Sequence, residues 1–226
     1  MADIEQQLHE IRDRISAACS RSRRDPAEVN LIAVSKTFPE ADIRTAVELG
    51  QVLFGESRLQ EAAPKVEALP QHLEWHFIGR VQKNKVRKIL PLFETVHAVD
   101  SMKLAAYMDD VAKDLDLRPN IFLQVNQAGE ESKGGFSPDS LLEALPEISE
   151  LKHIEVVGLM SIPPAVENPE DSRHWFAGLR ELSSEIRQKS GLKLPYLSMG
   201  MSGDFEVAVE EGATHVRVGS SIFGKR

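Results

Sequence analysis

A single (β/α)8 barrel preceded by one extra helix is the fold this chain predicts, on three observations. Eight short β-rich segments alternate with amphipathic, charged stretches along the 226 residues. Most of the eight are near-continuous runs of Val, Ile, Leu and Phe, the pattern of parallel strands covered on both faces. The length suits one closed barrel, which typically takes about 250 residues. An open doubly wound sheet would need a Gly-rich dinucleotide turn after the first strand, and Ser35-Lys36-Thr37-Phe38-Pro39 stands there instead. No low-complexity linker or shift of composition divides the chain, so residues 1–226 are expected to form one domain.

Ile4, Leu8, Ile11 and Ile15 share one face of an expected helix running from Ile4 to about Cys19. Strands are expected over residues 30–36, 52–56, 74–79, 95–100, 120–126, 154–162, 195–200 and 215–220. Helices are expected between them, over residues 40–49, 58–68, 83–92, 102–115, 138–151, 170–190 and 204–211. Ser101, Ser137-Pro138 and Asp204 stand where helix N-termini favour a side-chain acceptor or a preset φ. Gly50, Gly191 and Gly212 stand where helices should stop.

Composition removes several classes of function. Lys+Arg number 27 against Asp+Glu 35, a net charge of -8, which argues against nucleic acid as the main partner. The one cysteine, Cys19, excludes an intramolecular disulfide framework and a Cys-based zinc site, and it fits a reducing compartment. No apolar run approaches the roughly 20 residues of a membrane span. The opening from Met1 to Gln7 is polar and acidic, unlike a signal peptide. A cytoplasmic protein is expected.

In such a barrel the chemistry sits at the C-terminal ends of the strands. Lys36 ends the first apolar run, so its stem starts inside the mouth. It is a solvated strand-end lysine, a cation for a phosphate, or a desolvated amine able to form an imine. After strand seven come Ser198, Met199, Gly200, Met201, Ser202 and Gly203, and after strand eight Gly219, Ser220 and Ser221. Glycines let backbone N–H groups approach an anion, and many barrels hold phosphate at these two loops. A lysine facing a phosphate cradle points to pyridoxal phosphate. Arg217 shares the inward face of Gly219, since strand side chains alternate. Its acceptor is either a structural carboxylate or a pyridine nitrogen, which arginine would leave unprotonated and so a weak electron sink.

These residues carry a resemblance that runs almost end to end. The stretches are 31–37 (LIAVSKT), 54–61 (FGESRLQE), 75–85 (WHFIGRVQKNK), 99–101, 125–135 (VNQAGEESKGG), 158–163 (GLMSIP), 197–204 (LSMGMSGD) and 216–224 (VRVGSSIFG). In them the chain resembles the YggS/PROSC family of pyridoxal-phosphate homeostasis proteins, related to the barrel domain of alanine racemase. The resemblance implies a fold-type III TIM barrel holding pyridoxal 5'-phosphate (PLP) as a Schiff base on Lys36. It implies Ser202, Gly219 and Ser220 at the phosphate and Arg217 at the ring nitrogen, with Ser57 and Met199 completing the set. Ser57 departs from the family's usual FGEN, which places an Asn there, and Arg80 stands where the family often has His.

Weaker constellations add little. Arg80, Lys83, Lys85, Arg87 and Lys88 form a basic cluster that reads as a solvated helix face. Residues 130–135 read equally as a loop over the mouth and as a plain connection. His72 and His76 share no helix face for a metal, and His97 and His153 show no partner.

Three functions compete: a PLP-buffering homeostasis protein, a PLP-dependent racemase and a sugar-phosphate isomerase. Racemisation needs a second base. Tyr107 is expected on an outer helix and Tyr196 at the start of strand seven, and no second domain supplying a base is expected after strand eight. An imine-forming sugar-phosphate enzyme usually carries its lysine deep in a later strand. The expectation is therefore a monomeric PLP carrier, not a strong enzyme, serving PLP-dependent apo-enzymes and binding neither nucleic acid nor membrane.

Overall fold

The computed structural model describes residues 3–130 and 133–224. Its centre is a closed barrel of eight parallel strands in chain order. They are β1 (Asn30–Val34), β2 (Leu53–Glu56), β3 (Glu74–Phe77), β4 (Thr95–Val99), β5 (Asn120–Val125), β6 (Glu155–Ser161), β7 (Tyr196–Met201) and β8 (His215–Val218). Each lies within one residue of, or inside, its expected range, because apolar β-branched runs make poor surface elements and are covered from both sides here. Around them pack α1 (Ile4–Ser22), α2 (Glu40–Glu48), α3 (Leu59–Ala68), α4 (Val86–Ile89), α5 (Met102–Leu115), α6 (Pro138–Glu143), α7 (Leu145–Ser149), α8 (Arg173–Ser190), α9 (Phe205–Glu210) and α10 (Ser220–Phe223).

Ser101 and Ser137 cap α5 and α6 as their positions predict, each accepting a backbone N–H three residues on. Asp204 precedes α9 without capping it; its carboxylate turns back to accept the Met201 N–H at 2.7 Å. Gly50, Gly191 and Gly212 all take positive φ at helix ends. The helix expected over residues 138–151 breaks at Ala144 into α6 and α7, since Pro146 has no N–H to continue the ladder. The start of α8 is also later than expected, after a tighter 3-10 turn over Pro169–Ser172.

The main core lies between barrel and helices, and α1 extends it. Ile4, Leu8, Ile11, Ile15, Ala18 and Cys19 are buried on the face that packs on α9 and α10. Arg14 pairs with Glu206 at 2.7 Å and Arg21 with Glu210 at 2.6 Å along the rim of that contact. Among the described residues no helix is long and apolar enough to cross a membrane.

Side-chain parity decides what reaches the barrel axis. In β1, Ile32 and Val34 turn inward beside Leu53 and Ile78, while Ala33 joins the outer core. Phe122, Met160 and Ala98 form a second inner cluster. The strand register slips at three places: between β4 and β5 at Val96–Val99, between β5 and β6 at Ile121–Phe122, and between β7 and β8 at Ser198–Met201, where Gly200 sits at φ +89°. Gly200 is required there: a Cβ would meet the Ala208 Cβ at 2.6 Å, besides the unfavourable φ.

Candidate active site

β1 ends at Val34, and Lys36 follows two residues later, continuing the inward parity of Ile32 and Val34. It is half-buried. The next residue, Thr37, holds φ at +71°, costly for a β-branched side chain, and its N–H is fixed by Glu61 at 3.2 Å. The lysine therefore leaves the strand from a constrained turn. It lines a cavity of about 500 Å³ at the mouth together with Val34, Ile78, Ile162, Met201, Ser202, Gly203, Arg217, Gly219 and Ser220.

The glycine–serine wall stands opposite. β8 is shorter than expected and ends at Val218, so that Gly219 caps a single helical turn, α10, instead of ending a strand. Its N–H donates to Ser202 Oγ at 3.3 Å, tying the two loops together. A Cβ on Gly219 would stand 3.1 Å from the Val34 carbonyl oxygen, so this close backbone approach calls for glycine. The first amides of α10 have no intrahelical acceptor, as at any helix start.

Arg217 forms the floor. It turns inward opposite Ile32 and Met201 and is buried. Its Nη1 donates to Ser198 Oγ and its Nη2 to the Ser161 carbonyl at 3.0 Å. Neither acceptor is a carboxylate, and burial lowers its pKa to about 10, with Asp204 opposing the shift. The guanidinium is therefore still charged at neutral pH, desolvated and exposed on one side to the cavity. Ser161 Oγ, buried in the same region, has no hydrogen-bond partner.

Below Arg217 lies a polar axis that the sequence reading missed. His97 Nδ1 is 2.8 Å from Ser198 Oγ, and His97 Nε2 is 2.9 Å from His76 Nδ1. His215 packs edge-on to His97 with ring centroids 6.1 Å apart. Burial holds all three imidazoles neutral, pushing His76 down to about 3, His215 to about 4 and His97 well below its ordinary value. The signal existed for His76 and His97, each the polar residue of inward parity within a mostly apolar strand; His215 shares its inward parity with Arg217. Among the described residues these histidines, like every other such group, are not placed to hold a metal ion.

Other expected residues fall elsewhere. Ser57 does not line the Lys36 cavity; it faces a separate hollow outside the barrel, with Arg58, Arg80 and Lys85. The Gly79 backbone passes so close to the Ser57 carbonyl that a Cβ there would stand 2.2 Å from its oxygen. Met199 likewise does not line the cavity. It follows the inward Ser198, so plain alternation turns it, with Leu197, into the outer core, and the register slip at Gly200 brings Met201 to the cavity. Glu56, also at a strand end, points outward, where Oε1 accepts from Ser35 Oγ at 2.8 Å and from the buried Lys65 at 2.7 Å. Of the basic cluster, Lys83 lies over the Tyr107 ring and Arg87 pairs with Asp114. Within the loop at 130–135, Glu131 and Ser132 lie outside the described residues. Lys133 is anchored to Glu130 and to the Pro163 carbonyl, and Gln124 holds the Lys133 and Gly134 carbonyls.

A closed barrel with a lysine at the mouth of β1 and glycine–serine turns after β7 and β8 can be set beside known proteins. Residues 7–226 match the family described as Alanine racemase, N-terminal domain. The chain is 44% identical over 222 residues to the Pyridoxal phosphate homeostasis protein of Aquifex aeolicus strain VF5, covering 98% of this chain and 97% of the relative. It is 38% identical to the protein of that name from Escherichia coli K12, covering 100% of this chain and 98% of the relative. PipY of Synechococcus elongatus PCC7942, solved with PLP bound, superposes with a TM-score of 0.87 at 39% identity, over 98% of this chain and 100% of that one. The alanine racemase of Clostridium difficile 630 shares the fold at a TM-score of 0.69 and 15% identity, over 95% of this chain and 57% of its own. The chain belongs to the pyridoxal phosphate homeostasis protein family.

Proposed function

We propose that this chain binds PLP in the cavity, held as a Schiff base on Lys36, and buffers or carries it as a monomer to PLP-dependent apo-enzymes without strong catalysis. The observation that carries the reading is Arg217: a desolvated cation whose hydrogen bonds among the described residues go to a hydroxyl and a carbonyl, lining a cavity that also holds Lys36 and a glycine–serine wall. PLP fits these donors. Its phosphate would take Ser202, Ser220 and the backbone at Gly219, and its ring nitrogen would face Arg217. When bound, the cofactor supplies an aldehyde carbon for an amine and an electron-accepting ring. Arg217 keeps its own proton, so it leaves the ring nitrogen unprotonated and weakens that electron sink. The names of the relatives and the PLP-bound PipY structure support the same ligand.

Among the described residues no tyrosine or histidine lines the cavity. Tyr107 packs on an outer helix under Lys83, and Tyr196 starts β7 at the opposite end of the barrel. A positioned general base contributes about 10²–10⁴-fold, so a site lacking the second one is slow at inverting Cα. With fully loaded protein, solvent deuterium should enter Cα of alanine far more slowly than in an amino-acid racemase, while PLP passes to an apo-enzyme. Exchange on both faces at ordinary enzymatic rates would replace the carrier with a racemase.

The phosphate contacts have their own test. Hydrogen bonds to a charged group contribute about 1.5–3 kcal/mol. Ser202→Ala and Ser220→Ala are each expected to weaken PLP binding by about one to two powers of ten in an equilibrium titration. Unchanged affinity in the double variant would move the phosphate away from this wall.

A further inference from the structure

We infer that Ser198, His97 and His76 form a directed hydrogen-bond relay along the barrel axis that positions the Arg217 guanidinium on the cavity wall, with both imidazoles held as Nε2–H tautomers. The direction follows from counting donors. Arg217 can only donate, so Ser198 Oγ accepts from it. Ser198 is fully buried, and its own hydroxyl proton has one further partner in reach, His97 Nδ1 at 2.8 Å. That nitrogen is therefore the acceptor. A neutral imidazole then carries its proton on Nε2, which donates to His76 Nδ1 at 2.9 Å. His76 in turn must be protonated on Nε2, and its ring lies near the opposite end of the barrel, with 7% of the residue exposed.

The reverse direction, with His97 Nδ1 donating to Ser198, would strand the serine proton in a fully buried site. An unsatisfied buried donor is the costlier arrangement. The Phe122 ring stacks on His97 at 4.3 Å and fixes its plane. The register slips of β4 and β7 lie beside His97 and Ser198. His97 and His76 lie below the cavity, so they are positioning residues acting through Ser198.

The test has two arms, and the first needs no ligand. In uniformly 15N-labelled wild-type protein at neutral pH, long-range 1H–15N spectra should show His97 and His76 protonated at Nε2 and not at Nδ1. A proton on His97 Nδ1 would overturn the relay. The second arm rests on the PLP reading. His97→Phe keeps the stacked ring but leaves the Ser198 hydroxyl without an acceptor, whereas His97→Asn places an oxygen near the Nδ1 position. PLP affinity should fall about tenfold in the Phe variant, with a shifted absorption maximum of the bound cofactor, and return to within about threefold in the Asn variant. Wild-type affinity and spectrum in a folded His97→Phe protein would contradict the positioning role. Absence of PLP binding in the wild type would instead sink the proposed function and leave the tautomer result standing.

Discussion

Lys36→Ala should purify colourless, yield no borohydride-stable PLP adduct at the barrel mouth, and unfold at nearly the wild-type denaturant midpoint. The two halves of that result have separate causes. The amine is the nucleophile the cavity offers to an aldehyde, so its removal eliminates the covalent component of binding and leaves only Arg217 and the glycine–serine wall. Stability changes little because Lys36 lies beyond the end of β1, half-buried, with its stem in an open cavity. Substitutions outside the packed core usually stay within about 0.5 kcal/mol. Circular dichroism, denaturant unfolding and the visible spectrum of PLP-incubated protein check both halves. A lysine adduct that survives the substitution would place the linkage elsewhere.

Mild acid should destabilise this protein well above the pH at which carboxylates titrate. His76, His97 and His215 are neutral in the folded barrel with depressed pKa values, about 3 for His76 and about 4 for His215, against 6.5 ordinarily. Desolvation is the main cause in each. In the unfolded chain they take up protons near pH 6.5, and in the folded one they do not. The unfolded state therefore binds more protons below pH 6.5, and stability rises with pH across the window from about 4 to 6.5. The contribution of the three is complete above pH 6.5 and is lost on acidification, at about 1.4 kcal/mol per pH unit for each histidine. Urea unfolding at successive pH values from 7 to 4.5 measures the slope, and His215→Gln should flatten it by about one proton. A free energy independent of pH across that range would mean that the imidazoles are not buried neutral.

The barrel was legible because burial on both faces demands uninterrupted apolar strands, and such runs stand out from the charged helices between them. Lys36, Ser202, Arg217, Gly219 and Ser220 could be placed at one mouth because strand order and chain order coincide in a closed barrel. Parity was the weak link. Met199 follows the inward Ser198 and faces the outer core by plain alternation, while the slip at Gly200, which nothing in β7 announces beyond the glycine itself, brings Met201 to the cavity. Ser57 lines a different hollow for a separate reason. It follows Glu56, which faces outward to Lys65, and the chain then turns away from the axis into α3. The three histidines were invisible as a group because they come from β3, β4 and β8, and only closure of the barrel brings them together.

The central claim is that PLP is held on Lys36, and one measurement addresses it directly. Wild-type protein is loaded with PLP, reduced with borohydride, digested and mapped by mass spectrometry. The account predicts one pyridoxyl-phosphate increment per chain, on the peptide that contains Lys36. An increment carried instead by Lys65, Lys85 or another lysine, with Lys36 unmodified, would contradict it.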